Sequence, residues 1–202
     1  MPPHPDIRFC RRCGTATQQQ VPPLEDRVRA VCPSCGYIDY VNPINVVGTV
    51  PVWGPAGEGP AGADVRWAGE HVLLCRRAIE PRQGLWTLPA GFLEYGEAIA
   101  EGAVRETHEE AGARIELGPL YTVLDVAHVG QVHLFFLARL VDLQLRPGPE
   151  TTENRLFALE DIPWGELAFR TVARTLHHYV DDCAAGAFPV HTAAITPADG
   201  RG

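Results

Sequence analysis

The chain carries short runs of apolar and β-branched residues separated by glycine and proline, a pattern typical of β-strands joined by turns. The predicted strands and extended segments are 44–53, 70–79, 84–92, 115–130, 131–141 and 153–159. Helical composition occupies 97–111, which Gly112 ends, and 172–185. Because these elements do not alternate as regular strand–helix–strand units, the pattern predicts an α+β fold with a mixed sheet.

The predicted elements divide the chain into three segments. Residues 1–42 contain four of the six cysteines and end before Pro43, which favours a boundary at this point. Residues 43–185 contain the strands and helices of the main domain, together with a Gly/Pro-rich loop at 54–64. Residues 186–202 have no strand or helix pattern, which predicts a flexible tail.

Composition then limits the class of protein. With 202 residues, of which 46% are hydrophobic, the chain can bury a core. Its formal net charge of -8 disfavours binding to nucleic acid through phosphate contacts, although metal ions can offset the repulsion of a nucleotide substrate. No stretch approaches the roughly 18 apolar residues of a membrane span, and the N-terminus lacks the apolar region of a signal peptide. We therefore expect a cytoplasmic protein without a membrane partner.

The pattern C-x-x-C-Gly occurs twice, as "CRRCG" and "CPSCG". It places Cys10 and Cys13 in one turn and Cys32 and Cys35 in another. Two intervening residues let one turn present both thiolates to one cation, and four thiolates form the closed tetrahedral site of a structural Zn²⁺. The alternative is two disulfide-forming or redox pairs, which a reducing compartment disfavours. The spacing predicts a zinc ribbon whose folding depends on its metal.

Three glutamates, Glu106, Glu109 and Glu110, lie near the end of the predicted helix at a spacing that puts their carboxylates on one face. A solvated charged face is the usual explanation for such acids. However, anions near a helix C-terminus oppose the helix dipole at a cost of about 0.3–1 kcal/mol each. Arg105 is the nearby cation, placed to pair with Glu109. The remaining negative charge predicts a site for Mg²⁺ or Mn²⁺, and hence metal-assisted hydrolysis of a phosphate ester or anhydride.

These acids belong to a longer pattern. Gly91 is followed after five residues by Glu97 and, after seven more, by the run "RETHEEAGA" that begins at Arg105. The pattern resembles the Nudix box, G-x5-E-x7-R-E-U-x-E-E-x-G-U, and every charged and glycine position is matched. Thr107 and Ala113 occupy the two aliphatic positions (U) with smaller side chains.

The resemblance implies the Nudix fold, a mixed sheet sandwiched between helices, preceded by the zinc ribbon. It implies attack of water on one phosphorus of a nucleoside diphosphate derivative. The residues implied to be catalytic are Glu106, Glu109, Glu110 and Arg105. The ligands implied for Mg²⁺ or Mn²⁺ are Glu106, Glu109, Glu110, Glu97 and the carbonyl of Ala90.

The zinc ribbon ahead of the box is similar to the branch of the family that contains NADH pyrophosphatases and ADP-ribose/FAD pyrophosphatases. "YVNPINVVG" and "NRLFALEDIPW" resemble the ADP-ribose/FAD members, whereas the S-Q-P-W-P-F-P-x-S signature of the NADH pyrophosphatases is absent. The resemblance therefore implies a dinucleotide-like substrate, FAD or ADP-ribose, that is split into two monophosphates. Resemblance to the family also implies a homodimer. NADH or nucleoside triphosphate hydrolysis is an alternative enzyme function. A non-catalytic nucleotide sensor or partner-binding module is an alternative of another class.

Further candidates flank the box. The loop "GPETTEN" precedes a predicted strand, where Nudix enzymes often place a loop near the metals. Glu150 and Glu153 are candidates there for a general base or further ligand, with Glu153 preferred and an ordinary polar turn as the alternative. Arg76 and Arg77 are candidate substrate-binding residues because a guanidinium can contact two phosphate oxygens. Phe92 is a candidate for stacking on a base.

Two histidines and two tryptophans are candidates either for contact with the substrate or for a structural role. His128 and His133 flank the predicted turn at Gly130, where each is a candidate either for facing the substrate or for a structural role. Trp86 and Trp164 are candidates either for stacking on a base or for core packing.

Overall fold

The structure, a computed structural model, describes residues 6–54 and 65–197. Contacts within the chain divide it into two compact units, Met1–Pro43 and Ile44–Gly202. This division lies one residue after the boundary that the sequence predicts. Residues 55–64, most of the predicted Gly/Pro-rich loop, lie outside the described residues. No helix in the described part of the chain is long and apolar enough to cross a membrane.

The first unit contains a three-stranded antiparallel sheet. Its strands are, in order, β1 (Gln18–Gln20), β2 (Arg29–Val31) and β3 (Ile38–Asp39). The carboxylate of the buried Asp39 accepts hydrogen bonds of 2.8 and 2.6 Å from the guanidinium of Arg11. The buried hydrophobic side chains described in this unit are all small: Cys10, Ala30, Val31 and Cys32. A core of this size contributes little stability, so the unit needs another source of folding energy.

The second unit contains one mixed sheet and two helices. Its strands are β4 (Ile44–Trp53), β5 (His71–Arg77), β6 (Trp86–Thr87), β7 (Ala90–Phe92), β8 (Ile115–Val126), β9 (Gln131–Leu140), β10 (Thr151–Ala158) and β11 (His191–Ala194). Its helices are α1 (Ile99–Ala111) and α2 (Arg170–Ala185). The strand order is β10-β5-β4-β9-β8-β11, with β6 beside β5 and β7 beside β4. Because β4–β9 and β8–β11 are parallel pairs and the others are antiparallel, the predicted mixed sheet is confirmed.

The two helices lie on opposite faces of this sheet. On β4, Val47 packs in a cluster with Ala103 of α1, whereas Val50 packs in the cluster that contains Leu176 of α2. Side chains an odd number of residues apart on a strand point to opposite faces. The predicted sandwich of a mixed sheet between helices is therefore confirmed.

The helix α1 begins two residues after its predicted start and ends where the sequence predicts. The N–H of Ala98, just before the helix, donates to the carboxylate of Glu101 at 3.0 Å, which satisfies a donor at the helix start. Gly112 ends the helix in the left-handed region with a φ of 61°, which favours glycine. A buried hydrogen bond of 2.7 Å joins the hydroxyls of Thr107 and Thr49, and it fixes the rotation of α1 on β4.

The predicted flexible tail is wrong for the strand β11. This strand pairs in parallel with β8, and Nε2 of His191 lies 2.7 Å from the carboxylate of Asp182 on α2. Ile195 is buried and packs in a cluster with Leu124 of β8. These contacts between residues distant in sequence hold the segment, whereas residues 198–202 lie outside the described residues.

Candidate active site

A cavity of about 1210 Å³ opens in the second unit. Its lining comes from the second half of α1, from β7, from the loop before β10, from the start of α2 and from the turn between β8 and β9. The predicted site residues that line it are Arg77, Ala90, Phe92, Arg105, Glu106, Glu109 and Glu110. Three predicted site residues, Arg76, Glu97 and Glu153, are not part of this lining. The fold thus brings most of the candidate residues to one place.

Arg105 connects three carboxylates at the edge of this cavity. Its Nη1 donates to Glu106 at 2.6 Å and to Glu109 at 3.0 Å, and its Nε donates to Glu97 at 2.8 Å. Helical spacing indicated Glu109 as the partner of Arg105, and the family resemblance implied that Arg105 holds the carboxylates more generally. Glu97 precedes α1, and the hydrogen bond from Arg105 lowers the pKa of its carboxylate. Arg105 therefore holds the acids of α1 against the segment that enters the helix.

Glu110 is the most buried acid of the cluster. Its side chain accepts a hydrogen bond of 3.3 Å from the backbone N–H of Ala90. Burial, together with the nearby charges of Glu106 and Glu150, raises the pKa of Glu110 to about 8. Burial also raises the pKa of Glu106. Since full ionisation of these carboxylates is unfavourable without an added positive charge, the donor set fits a divalent cation.

Gly91 allows the main chain of β7 to approach the acids. A Cβ atom at this position would collide with the carboxylate of Glu106. The pairing of Gly91 with Val47 of β4 fixes the position of β7 in the sheet. The glycine therefore gives the carboxylate of Glu106 room beside β7, and it does not serve a turn. That the carbonyl of Ala90 ligates a metal stays a prediction.

The loop before β10 is attached to the C-terminal end of α1. The N–H of Arg146 donates to the carbonyl of Ala111 at 2.8 Å, and the N–H of Gly148 donates to the carbonyl of Glu110 at 3.0 Å. These bonds satisfy carbonyls that a helix end leaves without partners. The same loop then brings Glu150 into the lining of the cavity.

Glu150 and Glu153, the two candidates from this loop, lie in different surroundings. Glu153 accepts a hydrogen bond of 3.0 Å from Arg155 and lies 3.7 Å from Arg76, outside the cavity lining. A bulge between Thr151 and Glu153 interrupts the pairing of β10 with β5, and a bulge redirects the side chains beside it. The geometry therefore supports Glu150 as the catalytic candidate from this loop.

The two neighbouring arginines of β5 point to opposite faces. Arg77 lines the cavity, where its Nε donates to the carbonyl of Pro81 at 2.9 Å and its guanidinium lies 5.0 Å from the ring centroid of Phe169. Arg76 instead lies 3.7 Å from Glu153, outside the cavity lining, and its contact with substrate stays a prediction. The alternation of side chains along a strand explains the difference.

Of the three aromatic candidates for base stacking, one lines the cavity and two do not. Phe92 lines the cavity and is 56% exposed, so its ring is accessible to a ligand. Trp86 is buried in the core, and Trp164 stacks on His177 at a centroid distance of 4.0 Å. Neither tryptophan is part of the cavity lining.

The side of the cavity away from the acids is lined by two histidines that the sequence indicated and by other residues that it did not indicate. His128 and His133 line it together with Val126, Gln131 and Ile195. Nε2 of His133 lies 3.0 Å from Oε1 of Gln131, and burial lowers the pKa of His133 to about 4. Sequence reasoning missed Ile195, because it follows a strand whose partner β8 is distant in the chain and no local pattern marks it.

The four predicted zinc ligands form a cluster in the first unit. The Sγ atoms of Cys10, Cys13, Cys32 and Cys35 all lie within 4.8 Å of one another. The distance is 3.7 Å between Cys10 and Cys35 and 3.4 Å between Cys13 and Cys32. Tetrahedral Zn²⁺ with bonds of about 2.3 Å places its sulfur ligands about 3.8 Å apart, so the observed spacing fits this metal.

Two protein-family models match the chain. The model described as "NUDIX domain" matches residues 61–178, and the model described as "Nudix N-terminal" matches residues 8–41. The first match covers more than half of the chain, and the second includes the four clustered cysteines.

Two relatives are similar to the chain in sequence. The chain is 33% identical to an ADP-ribose pyrophosphatase of Methanocaldococcus jannaschii over 102 residues, 48% of this chain and 59% of that protein. It is 33% identical to an NAD-capped RNA hydrolase NudC of Pseudomonas aeruginosa over 175 residues, 84% of this chain and 54% of that protein. The chain thus spans just over half the length of these two relatives.

A solved structure extends the similarity to the whole fold. A NUDIX hydrolase from Nitrosomonas europaea is 40% identical and superimposes with a TM-score of 0.83, covering 94% of this chain and 99% of that one. The family matches and this structural similarity show that the chain belongs to the Nudix family and contains a Nudix zinc ribbon at residues 8–41.

Proposed function

We propose that the chain hydrolyses the diphosphate linkage of a nucleoside diphosphate derivative to two monophosphates, with ADP-ribose or FAD as substrate. The observation that carries this proposal is the convergence of Glu106, Glu109, Glu110 and Glu150 on one large cavity. Two of these acids have pKa values raised by burial, a cost to the fold that a charge-binding function explains. The similarity to a relative named as an ADP-ribose pyrophosphatase supports the substrate class.

The acids of α1 are the proposed holders of Mg²⁺ or Mn²⁺, because carboxylates are the hard oxygen ligands that these ions prefer. Glu97 and the carbonyl of Ala90 complete the proposed ligand set. When bound, the divalent cation supplies positive charge to the diphosphate and makes a bound water more acidic. Separately, the four clustered cysteines are the proposed ligands of one structural Zn²⁺.

The chain's own residues have distinct proposed roles. Arg105 holds three carboxylates through its hydrogen bonds, so that they keep one geometry. Glu150 accepts a proton from the attacking water. Arg77 contacts the phosphate oxygens, since its guanidinium lines the cavity and offers two parallel donors.

A substrate panel distinguishes the proposed function from its rivals. We expect hydrolysis of ADP-ribose or FAD with Mg²⁺ or Mn²⁺, with AMP as one product. Preferential hydrolysis of NADH would instead favour the alternative of an NADH pyrophosphatase. Preferential hydrolysis of nucleoside triphosphates would favour the alternative of a nucleoside triphosphate pyrophosphohydrolase. Binding of these nucleotides without any turnover would support the sensor alternative.

The role of Glu150 gives a matched pair of variants. We expect Glu150→Gln to lower kcat by about 10²- to 10⁴-fold, the range typical of losing a general base. Glu153→Gln, three residues further along the chain in β10 and outside the cavity lining, should keep kcat within about twofold, as expected for loss of a surface ion pair. Steady-state kinetics with ADP-ribose at saturating Mg²⁺ measures both. A large loss in Glu153→Gln with a normal Glu150→Gln would reverse the assignment.

A further inference from the structure

The cavity extends across the sheet, away from the acids. Phe92 of β7 pairs with Val46 of β4, and Val46 pairs with His133 of β9. Paired residues lie side by side on one face, and neighbouring strands are about 4.8 Å apart, so His133 lies roughly 10 Å from β7 along this row. All three residues line the cavity. The cavity therefore has room for a group attached to the diphosphate but separated from it.

Beyond His133, the lining continues over β8 and β11. Gln131 of β9 pairs with Val126 of β8. Ile195 follows β11, and its N–H donates to the carbonyl of Asp125 at 2.7 Å. We name the cavity lining formed by Val126, Gln131, His133 and Ile195 the distal wall.

The hydrogen-bonding character of the distal wall follows from one contact. Burial lowers the pKa of His133 to about 4, so its ring is neutral near pH 7. Nε2 of His133 lies 3.0 Å from Oε1 of Gln131, and with the amide oxygen facing the ring, the ring proton is on Nε2. Nδ1 of His133 is then an acceptor. The side-chain NH₂ of Gln131 is a donor beside it.

The apolar part of the distal wall is held in place. Val126 and Ile195 belong to one buried cluster with Leu124. The segment that carries Ile195 is fixed at its start by the 2.7 Å contact of His191 with Asp182. A rigid apolar surface with an adjacent acceptor and donor suits a flat heterocycle that bears an amine.

We propose that the distal wall binds the purine base of the substrate and that Nδ1 of His133 accepts a hydrogen bond from the exocyclic amine of that base. The proposal deepens the proposed function and rests on it, because it assigns the base and the diphosphate to two parts of the same cavity. It also gives β11 a role, since Ile195 supplies one side of the wall.

The test replaces His133 with phenylalanine, which keeps a buried ring but removes the acceptor. We expect the KM for ADP-ribose to rise about tenfold, the effect of one lost hydrogen bond, with kcat within about twofold. The 1,N6-etheno analogue of ADP-ribose lacks the donating amine. The wild-type chain should discriminate against this analogue, and His133→Phe should lose that discrimination, because both changes remove the same hydrogen bond.

Two further variants keep the test decisive. His177→Phe makes the same replacement at an exposed histidine outside the cavity lining, and its KM should match the wild type. Ile195→Ala should raise the KM for ADP-ribose and for the etheno analogue by the same factor, because it removes apolar contact and no hydrogen bond. Unchanged KM values in both His133→Phe and Ile195→Ala, or discrimination that persists in His133→Phe, would overturn the proposal.

Calorimetry with AMP separates this proposal from the proposed function, because AMP carries the base but no diphosphate bond. If the wild type hydrolyses no diphosphate but His133→Phe binds AMP more weakly than the wild type does, the distal wall would be retained and the enzyme function rejected. If the chain hydrolyses diphosphates but His133→Phe changes neither AMP binding nor the KM, the enzyme function would be retained and the distal wall rejected. A wild-type chain that neither binds AMP nor hydrolyses any diphosphate would reject both.

Discussion

Replacing Glu110 with glutamine will abolish hydrolysis, with kcat for ADP-ribose falling by at least about 10³-fold, while the fold persists. Glutamine has the shape of glutamate but cannot supply the negative charge that holds a cation. Removal of a buried carboxylate whose pKa is raised to about 8 also relieves a cost in the metal-free fold. We therefore expect thermal unfolding without divalent cations to show a Tm equal to or above that of the wild type.

The control for this variant is Glu101→Gln, on the first turn of the same helix. Its side chain accepts a hydrogen bond from the N–H of Ala98, and glutamine can accept the same bond. Glu101 is not part of the cavity lining, so its replacement should leave kcat within about twofold of the wild type, as for an exposed polar change. Wild-type activity in Glu110→Gln would contradict the role assigned to the acids of α1.

Removal of the zinc ligands will unfold the first unit. In Cys32→Ser we expect zinc content to fall from about one ion per chain to near zero and residues 6–43 to lose protection from amide exchange. The unit has only small buried hydrophobic side chains, whereas structural zinc contributes an apparent 10–16 kcal/mol or so in small zinc domains. Elemental analysis and hydrogen-exchange mass spectrometry measure the two effects.

Cys183→Ser is the matched control for the zinc prediction. Cys183 lies on α2 in the second unit and is not part of the four-cysteine cluster. Its replacement should leave both the zinc content and the protection of residues 6–43 unchanged. Wild-type protein that contains no zinc, or a Cys32→Ser variant with full protection, would refute the structural zinc site.

The sequence predicted those features of the fold and site that depend on local spacing. The three- and four-residue intervals among Glu106, Glu109 and Glu110 put their side chains on one face of α1, and all three line the cavity. Gly112 indicated the end of the helix, because the residue that follows a helix often adopts the left-handed backbone conformation, which favours glycine. The C-x-x-C-Gly pattern likewise indicated the four-cysteine cluster.

Features that depend on pairing between distant segments could not be predicted in the same way. The bulge in β10 decides whether Glu150 or Glu153 faces the acids, and no residue type marks a bulge reliably. The side of β5 from which Arg77 reaches the cavity depends on strand register, in which a shift of one residue exchanges the two faces. The strand β11 forms by pairing with the edge strand β8, and the composition of residues 186–202 does not indicate this pairing.

The central claim is that the acids of α1 hold a divalent cation of the Mg²⁺ type. Crystals of the wild-type chain grown with Mn²⁺ and AMP test this claim most directly, through anomalous scattering at the manganese edge. We expect an anomalous peak between the carboxylates of Glu106, Glu109 and Glu110, and its loss in Glu110→Gln. Well-ordered carboxylates without any such peak in the wild-type chain would contradict the account.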